Sequence, residues 1–234
     1  MDIKSIARMI DVSSVRAEST MTDVERMVRV AKHFGFVCAF AMPTFTKELV
    51  NMLFDAPDIM VGGVVGFPSG GDTTAAKVAI AREMINVGVN ELDMVINVGA
   101  LKSEMYDVVY HDIHSVVEAA SGMPVKCIIE AAYLTDDEIK RAASIAVRAG
   151  VAYVKTGTGW APKPTTVETV RLIKSEIGDS ALIKASSGVR DFDTLLAMMD
   201  AGASRFGIGV NSSVKIMKEV YASCGVAWDF EELV

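Results

Sequence analysis

Two lysines in this chain stand where short apolar runs break into small, polar turns. Val151-Ala-Tyr-Val154 leads into Lys155 and then Thr156-Gly-Thr-Gly159. Ala181-Leu-Ile183 leads into Lys184 and then Ala185-Ser-Ser-Gly188. A lysine is costly to bury as a cation, so its pKa falls in an apolar setting, and a second cation nearby lowers it further. A lysine that is neutral near pH 7 is a nucleophile that attacks a carbonyl and forms a Schiff base. One such lysine reads more simply as a strand-end residue reaching for solvent. Two at equivalent places on successive runs favour the chemical reading.

Lysines so placed need a frame that gathers strand ends. Short β-rich runs alternate with helix-length amphipathic segments along the whole chain. The runs read as strands are 9–15, 36–41, 60–67, 91–97, 125–131, 151–156, 181–186 and 204–208. Helical segments between them include 22–34, 44–54, 73–87, 104–120, 135–149, 165–177 and 191–201. Thr22-Asp23, Thr135-Asp-Asp-Glu138 and Thr165-Thr-Val-Glu168 are start signals, the second a capping box. Gly35, Gly88, Gly150 and Gly202 fall at helix ends, where a left-handed residue closes the helix. The alternation implies a parallel sheet. About eight units with no break in composition predict an α/β chain folded as a (β/α)8 TIM barrel, one domain over 1–234, ahead of a doubly wound sheet. The tail, 221–234, is expected as a surface extension after the last helix.

In such a barrel, chemistry gathers at the carboxyl ends of the strands. Asp93, Lys126, Lys155 and Lys184 fall there. Side chains alternate between the two faces of a strand. If Lys155 points inward, so does Tyr153, while Val154 faces the helices. Lys184 shares a face with Leu182, Asp93 with Glu91, and Lys126 with Ile128 and Glu130. An inward set of Asp93, Lys126, Lys155 and Lys184 is therefore self-consistent. A carboxylate among amines separates their charges and relays protons.

The composition narrows the function. At 234 residues, 51% hydrophobic and 23% charged, the chain can bury a large core. A net charge of -7 argues against nucleic acid as a partner, while a local site can still bind a small anion. Cys38, Cys127 and Cys224 are scattered and odd in number, reading as reduced thiols of a cytoplasmic protein. No apolar run is long enough for a membrane span. His111 and His114 lie mid-helix and read as a solvated face, not half of a metal site. Gly66-Phe-Pro-Ser-Gly-Gly-Asp72 lacks the ending of a nucleotide loop and reads as a strand-to-helix connection bordering the site. For Trp160 two readings stand level: it lines the pocket, or it caps its own loop.

At these residues the sequence resembles the deoxyribose-phosphate aldolase family, over about Ile10 to Lys218. The matching stretches are Val64-Val-Gly-Phe-Pro68, Glu91-Leu-Asp-Met-Val-Ile-Asn97, Val125-Lys-Cys-Ile-Ile-Glu130, Val154-Lys-Thr-Gly-Thr-Gly159, Lys184-Ala-Ser-Ser-Gly-Val-Arg190 and Arg205-Phe-Gly207. The resemblance implies a Schiff-base aldolase on a (β/α)8 barrel that uses neither metal nor cofactor. It implies that Lys155 forms the Schiff base, Lys184 depresses its pKa and Asp93 relays protons with support from Lys126. Substrate contacts are implied for Asp11, Lys126, Thr156, Thr158, Ser187, Gly188, Gly207 and Gly209. The implied reaction is reversible cleavage of 2-deoxyribose 5-phosphate to acetaldehyde and glyceraldehyde 3-phosphate. A homo-oligomer, by default a dimer, is implied by analogy of fold alone.

The chain departs from the family pattern in places. The first-strand Asp-His-Thr is Asp11-Val-Ser13, a second-strand cysteine aligns with Phe40, and the serine after Lys-Thr is Gly157. Paired glycines after the second lysine become Ser187-Gly188, and paired hydroxyl residues after the last Arg-Phe-Gly become Ile208-Gly-Val210, with Asn211-Ser-Ser213 displaced downstream. The catalytic set is intact and the phosphate set is altered, so phosphate is expected to be preferred less strongly than the family pattern implies. Ser212 or Ser213 restores hydrogen bonds there only if the loop folds back. Two rivals stand beside this reading: an aldolase of the same kind for a different or non-phosphorylated sugar, and a non-catalytic sugar-phosphate-binding barrel.

Overall fold

Eight parallel strands close into a barrel in sequence order in a computed structural model, which describes residues 2–230. They are β1 (Ile10–Ser14), β2 (Cys38–Ala41), β3 (Met60–Val65), β4 (Glu91–Val95), β5 (Val125–Ile128), β6 (Tyr153–Lys155), β7 (Leu182–Ser186) and β8 (Arg205–Gly209). β8 pairs back onto β1 with Asp11 opposite Gly207. Helices α1 (Ile3–Ala7), α2 (Met21–Phe34), α3 (Pro43–Met52), α4 (Thr74–Val87), α5 (Val98–Lys102), α6 (Tyr106–Ala119), α7 (Asp136–Arg148), α8 (Val167–Ile177), α9 (Phe192–Asp200) and α10 (Val210–Ser223) complete the described chain. The barrel and all eight expected strands form, each within a few residues of its expected limits.

Alternation places the residues as the strand pattern requires. Outward residues such as Val12, Ala39, Val61, Leu92, Cys127, Val154, Ile183 and Phe206 are buried under the helices in one continuous apolar core. The burial of this face drives closure, at roughly 25 cal/mol per Å² of apolar surface removed from water. The inner face is different. Its middle layers carry Asp11, Glu91, Asp93, Lys126, Lys155, Lys184 and Arg205, all buried. The barrel wall is thus apolar outside and ionic within, and the ionic layer is held by strands that the outer core fixes.

Local signals differ in detail from expectation. The cap of α2 is Thr20, not Thr22: its side chain accepts from the Asp23 amide while Asp23 reaches back to the Thr20 amide. The capping box at Thr135 and Glu138 forms. The cap of α8 is Thr166, which frees Thr165 for the site. β5 stops three residues early because Glu130 takes a left-handed conformation, φ 50°, and turns the chain into a short 3-10 turn. α10 already includes Tyr221, and the described tail runs over the surface as expected, anchored where Trp228 and Phe230 pack around Phe34 at the end of α2. The stretch 231–234 lies outside the described residues. His114 stacks on Tyr110 and its Nδ1 faces the Ala149 carbonyl, in keeping with a helix-face role. Among the described residues no helix is long and apolar enough to cross a membrane.

Candidate active site

Seven ionic side chains from six strands meet inside the barrel. Asp93 Oδ2 accepts hydrogen bonds from Lys155 Nζ and Lys184 Nζ, both at 2.7 Å. Lys184 Nζ also pairs with Asp11 Oδ2 at 2.6 Å. Lys126 Nζ stands 3.3 Å from Asp93 Oδ1 and forms a close ion pair with Glu91. Arg205 closes the ring, donating through Nε to Asp11 at 2.6 Å and through Nη2 to Glu91 at 3.2 Å. Strand register explains the meeting: Asp93 lies opposite Lys126, and Lys155 opposite Lys184.

Three carboxylates face four cations, so one cation exceeds the balance. Lys155 is that one. Burial withdraws it from water and pushes its pKa down to about 8, against the pull of Asp93, with Lys184 and Lys126 adding repulsion. Lys126 goes the other way: despite burial, Asp93, Asp11 and Glu91 hold its ammonium well above the usual lysine range. Asp93, though buried, is held far below the usual carboxylate range by Lys126, Lys155 and Lys184. The arrangement fixes which amine gives up its proton. Near pH 7, on the order of a tenth of Lys155 is the free amine, against well under a thousandth for an ordinary lysine.

Lys155 and Lys184 both border the cavity, and Lys155 is the more exposed of the two. A pocket of about 230 Å³ lies above the network, lined on one side by Ser187, Gly188, Gly207, Gly209 and Ser212 and on the other by Phe40, Val64 and Phe67. Thr158 and Trp160 line it as well. Trp160 bounds the pocket, and its indole ties it to the loop after β1 by donating to the Val15 carbonyl at 3.0 Å while Arg16 stacks on its ring. Phe67, from the connection at 66–72, faces Trp160 with ring centroids 6.2 Å apart.

The expected substrate contacts divide. Asp11, Thr158, Ser187, Gly188, Gly207 and Gly209 border the pocket, whereas Lys126 and Thr156 do not. Lys126 is fully buried beneath Asp93, where Glu91 engages it. Thr156 is fully buried and its hydroxyl donates to the Ser186 carbonyl. It ties the loops after β6 and β7 together, with Thr165 bonding the same carbonyl at 2.7 Å. Ser187 sits at φ 71°, a conformation that favours glycine, and Gly188 follows at φ 117° with Pro164 only 2.7 Å from where a Cβ would stand. Ser212 reaches the pocket from the first turn of α10. Ser213 is buried and turned onto the Val210 carbonyl.

Sequence reasoning left several members of the site without a role. Glu91 and Arg205 complete the ionic ring. Glu91 shares its face with Asp93, and Arg205 is two residues before the inward Gly207, so alternation alone could have added both. Glu130, which accepts from the Thr158 amide and hydroxyl, shared the inner face with Lys126 by alternation, but it acts from a left-handed turn past the end of β5, which alternation does not convey.

Known proteins agree with this geometry. A family model described as DeoC/LacD family aldolase matches residues 4–219. The chain belongs to the DeoC/LacD aldolase family. Within that family, a deoxyribose-phosphate aldolase of Rhizobium meliloti is 42% identical over 222 residues, 95% of this chain and 90% of that one. One from Coprothermobacter proteolyticus is 45% identical over 213 residues, 91% of this chain and 96% of its own. Among solved structures, a deoxyribose phosphate aldolase from Aeropyrum pernix, described as tetrameric, superposes with a TM-score of 0.86 at 28% identity, covering 95% of this chain and 93% of that one. As a DeoC/LacD aldolase, the chain is an enzyme of the lyase class, and it shares its fold with the Aeropyrum pernix structure.

Proposed function

We propose that this chain cleaves 2-deoxyribose 5-phosphate reversibly to acetaldehyde and glyceraldehyde 3-phosphate, with Lys155 as the Schiff-base nucleophile. The observation that carries the reading is the Lys155 amine, with a pKa of about 8, at the floor of a pocket above a carboxylate that it shares with a second lysine. The neutral amine adds to the sugar carbonyl carbon. Its two protons leave with the oxygen as water, and one further proton makes the iminium. The C3 hydroxyl then loses its proton, C3 becomes a carbonyl, and the C2–C3 electron pair moves toward nitrogen to give the enamine. Protonation at C2 and hydrolysis release acetaldehyde and restore the amine. Asp93 does not border the pocket, so its exchange with a substrate hydroxyl runs through an ordered water. A binding barrel has no use for a depressed amine opening on its cavity, which sets that rival aside.

The amine sets a pH dependence. The reactive form accumulates as pH rises through the Lys155 pKa. Schiff-base formation is therefore expected to climb about tenfold per pH unit below about 8 and to level off above it. Lys184→Leu removes a repelling cation beside Lys155, so the plateau should move to higher pH with a severe loss of rate at neutrality. Borohydride trapping of acetaldehyde across pH 5–10 reads both outcomes. An unchanged midpoint in Lys184→Leu overturns the assigned role of Lys184.

Recognition of the phosphate is proposed at the polar rim. Gly209 caps α10 with no side-chain hydrogen bond, and the N-terminus of this 14-residue helix, where a dipole favours an anion, borders the same rim. Ser212 and the loop of Ser187 and Gly188 lie beside it, with Arg190 and Arg16 at the mouth. Ser212 borders the pocket and Ser213 is turned away from it, which supports Ser212 as the hydroxyl that meets the phosphate. A charged hydrogen-bond partner is worth about 1.5–3 kcal/mol, so a preference for the 5-phosphate over free deoxyribose of about 10²-fold in kcat/KM is expected, falling in Ser212→Ala. Equal use of both sugars moves the substrate to a non-phosphorylated one. A preference of many orders of magnitude shows that the altered loops make a full site.

A further inference from the structure

The two walls of the pocket differ in chemistry. The wall from β7 and β8 is polar, and the wall from β2 and β3 is apolar. At the base of the apolar wall is Phe40, only 2% exposed. Its ring centroid lies 4.2 Å from Lys184 Nζ, 5.2 Å from Lys126 Nζ and 5.9 Å from Lys155 Nζ. It packs in a small apolar cluster with Cys38 and Val64 and faces its register partner on β3, Gly62. A Cβ at Gly62 would stand 2.0 Å from Phe40 Cε1 and 2.1 Å from Cζ. The ring fills the space of a missing side chain, and any larger residue at 62 would drive it into the pocket or out of the barrel.

We propose that Phe40, seated on Gly62, is a specificity-determining residue that limits the donor half of the reaction to an aldehyde with hydrogen on its carbonyl carbon. The inference rests on the aldolase reading above. With Lys155 bonded to C1, the chain from C2 onward runs to the polar rim of β7 and β8. The remaining substituent on C1 faces the opposite strands, where Phe40 stands. A methyl there lies about 2.5 Å from the lysine nitrogen by ordinary bond lengths and angles. It also needs about 3.5–4.0 Å to the ring carbons. Over the ring face that is about 3.2–3.7 Å to the centroid, so the two lengths total about 5.7–6.2 Å and use up the whole 5.9 Å along that line. Hydrogen fits with room to spare, whereas methyl is pressed against the ring. The apolar pair Val64 and Phe67 offers no hydrogen bond that would compensate a displaced ketone.

The test is competitive trapping at Lys155. Acetaldehyde and propanone are mixed with the enzyme, and borohydride delivers hydride to the iminium carbon, leaving an ethyl or an isopropyl group on the lysine that mass spectrometry distinguishes. Both adducts pass through one amine, so any change in its pKa cancels in their ratio. Discrimination by one methyl in a pocket is typically 10–200-fold. The isopropyl-to-ethyl ratio is therefore expected to rise at least tenfold in Phe40→Ala, with Phe40→Leu between. Phe40→Leu keeps most of the apolar volume and serves where Phe40→Ala folds poorly. Gly62→Ala should depress both adducts, and the Phe40→Ala, Gly62→Ala double variant should recover the ethyl adduct. A ratio unchanged within twofold in both Phe40 variants, with the ethyl adduct intact, overturns the inference alone. No adduct on Lys155 in any variant, wild type included, overturns the aldolase reading and this inference with it.

Discussion

Lys155→Ala is expected to lower aldol cleavage by at least about 10³-fold while leaving the fold intact. That factor corresponds to about 4 kcal/mol of barrier, and covalent catalysis offers no other route in this pocket. The obvious substitute, Lys184, is engaged on both sides, by Asp11 Oδ2 at 2.6 Å and Asp93 Oδ2 at 2.7 Å. Folding should survive for an electrostatic reason. Lys155 is the cation in excess, so its removal leaves three carboxylates facing Lys126, Lys184 and Arg205, a balanced set. Removing one partner of an isolated buried pair typically costs about 3–5 kcal/mol because a lone charge is stranded. Here Asp93 keeps Lys184 and Lys126. The measurement is cleavage rate beside thermal unfolding. A midpoint near that of the wild type with activity lost marks the loss as chemical. Retention of most of the activity overturns the mechanism.

How far the sequence exposed this site follows from which interactions are periodic. Strand and helix alternation exposed the barrel, because apolar runs such as Val151-Ala-Tyr-Val154 recur with start and stop signals between them. The period of two within a strand placed Asp93, Lys126, Lys155 and Lys184 on one inner face, and the structure brings all four together. What alternation does not convey is depth. Lys126 and Lys155 share the inner face, yet only Lys155 borders the pocket, because Glu91 and Asp93 draw Lys126 down into the barrel. Depth depends on register between neighbouring strands, which no single run encodes. Long-range partners were also hidden. Arg205 meets Asp11 across 194 positions, and the Trp160 indole meets the Val15 carbonyl across 145. Loop geometry was the third gap: Thr165 read as a helix start, but the cap moved to Thr166, and its hydroxyl instead pins the loop after β7.

The second large effect is expected at Asp93, with an opposite electrostatic sign from Lys184. Asp93→Asn removes a negative charge beside Lys155. Asp93 now favours the charged form of that amine, so without it the Lys155 pKa should fall below about 8. Trapping of acetaldehyde should therefore persist, and its pH midpoint should move down, where Lys184→Leu moves it up. Turnover should nevertheless drop by roughly 10²–10⁴-fold, the usual contribution of a positioned proton carrier. A single carboxylate oxygen that accepts from both Lys155 and Lys184 can pass protons between them, and an amide cannot take one up. The variant will also be less stable, since four cations then face two carboxylates in a buried layer. Stability and chemistry are separated by comparing trapping with turnover on the same folded preparation. Trapping retained with turnover lost assigns proton transfer to Asp93. Equal loss of both assigns it to holding the lysines in place, and the direction of the pH shift then decides whether its charge or its hydrogen bonds do the holding.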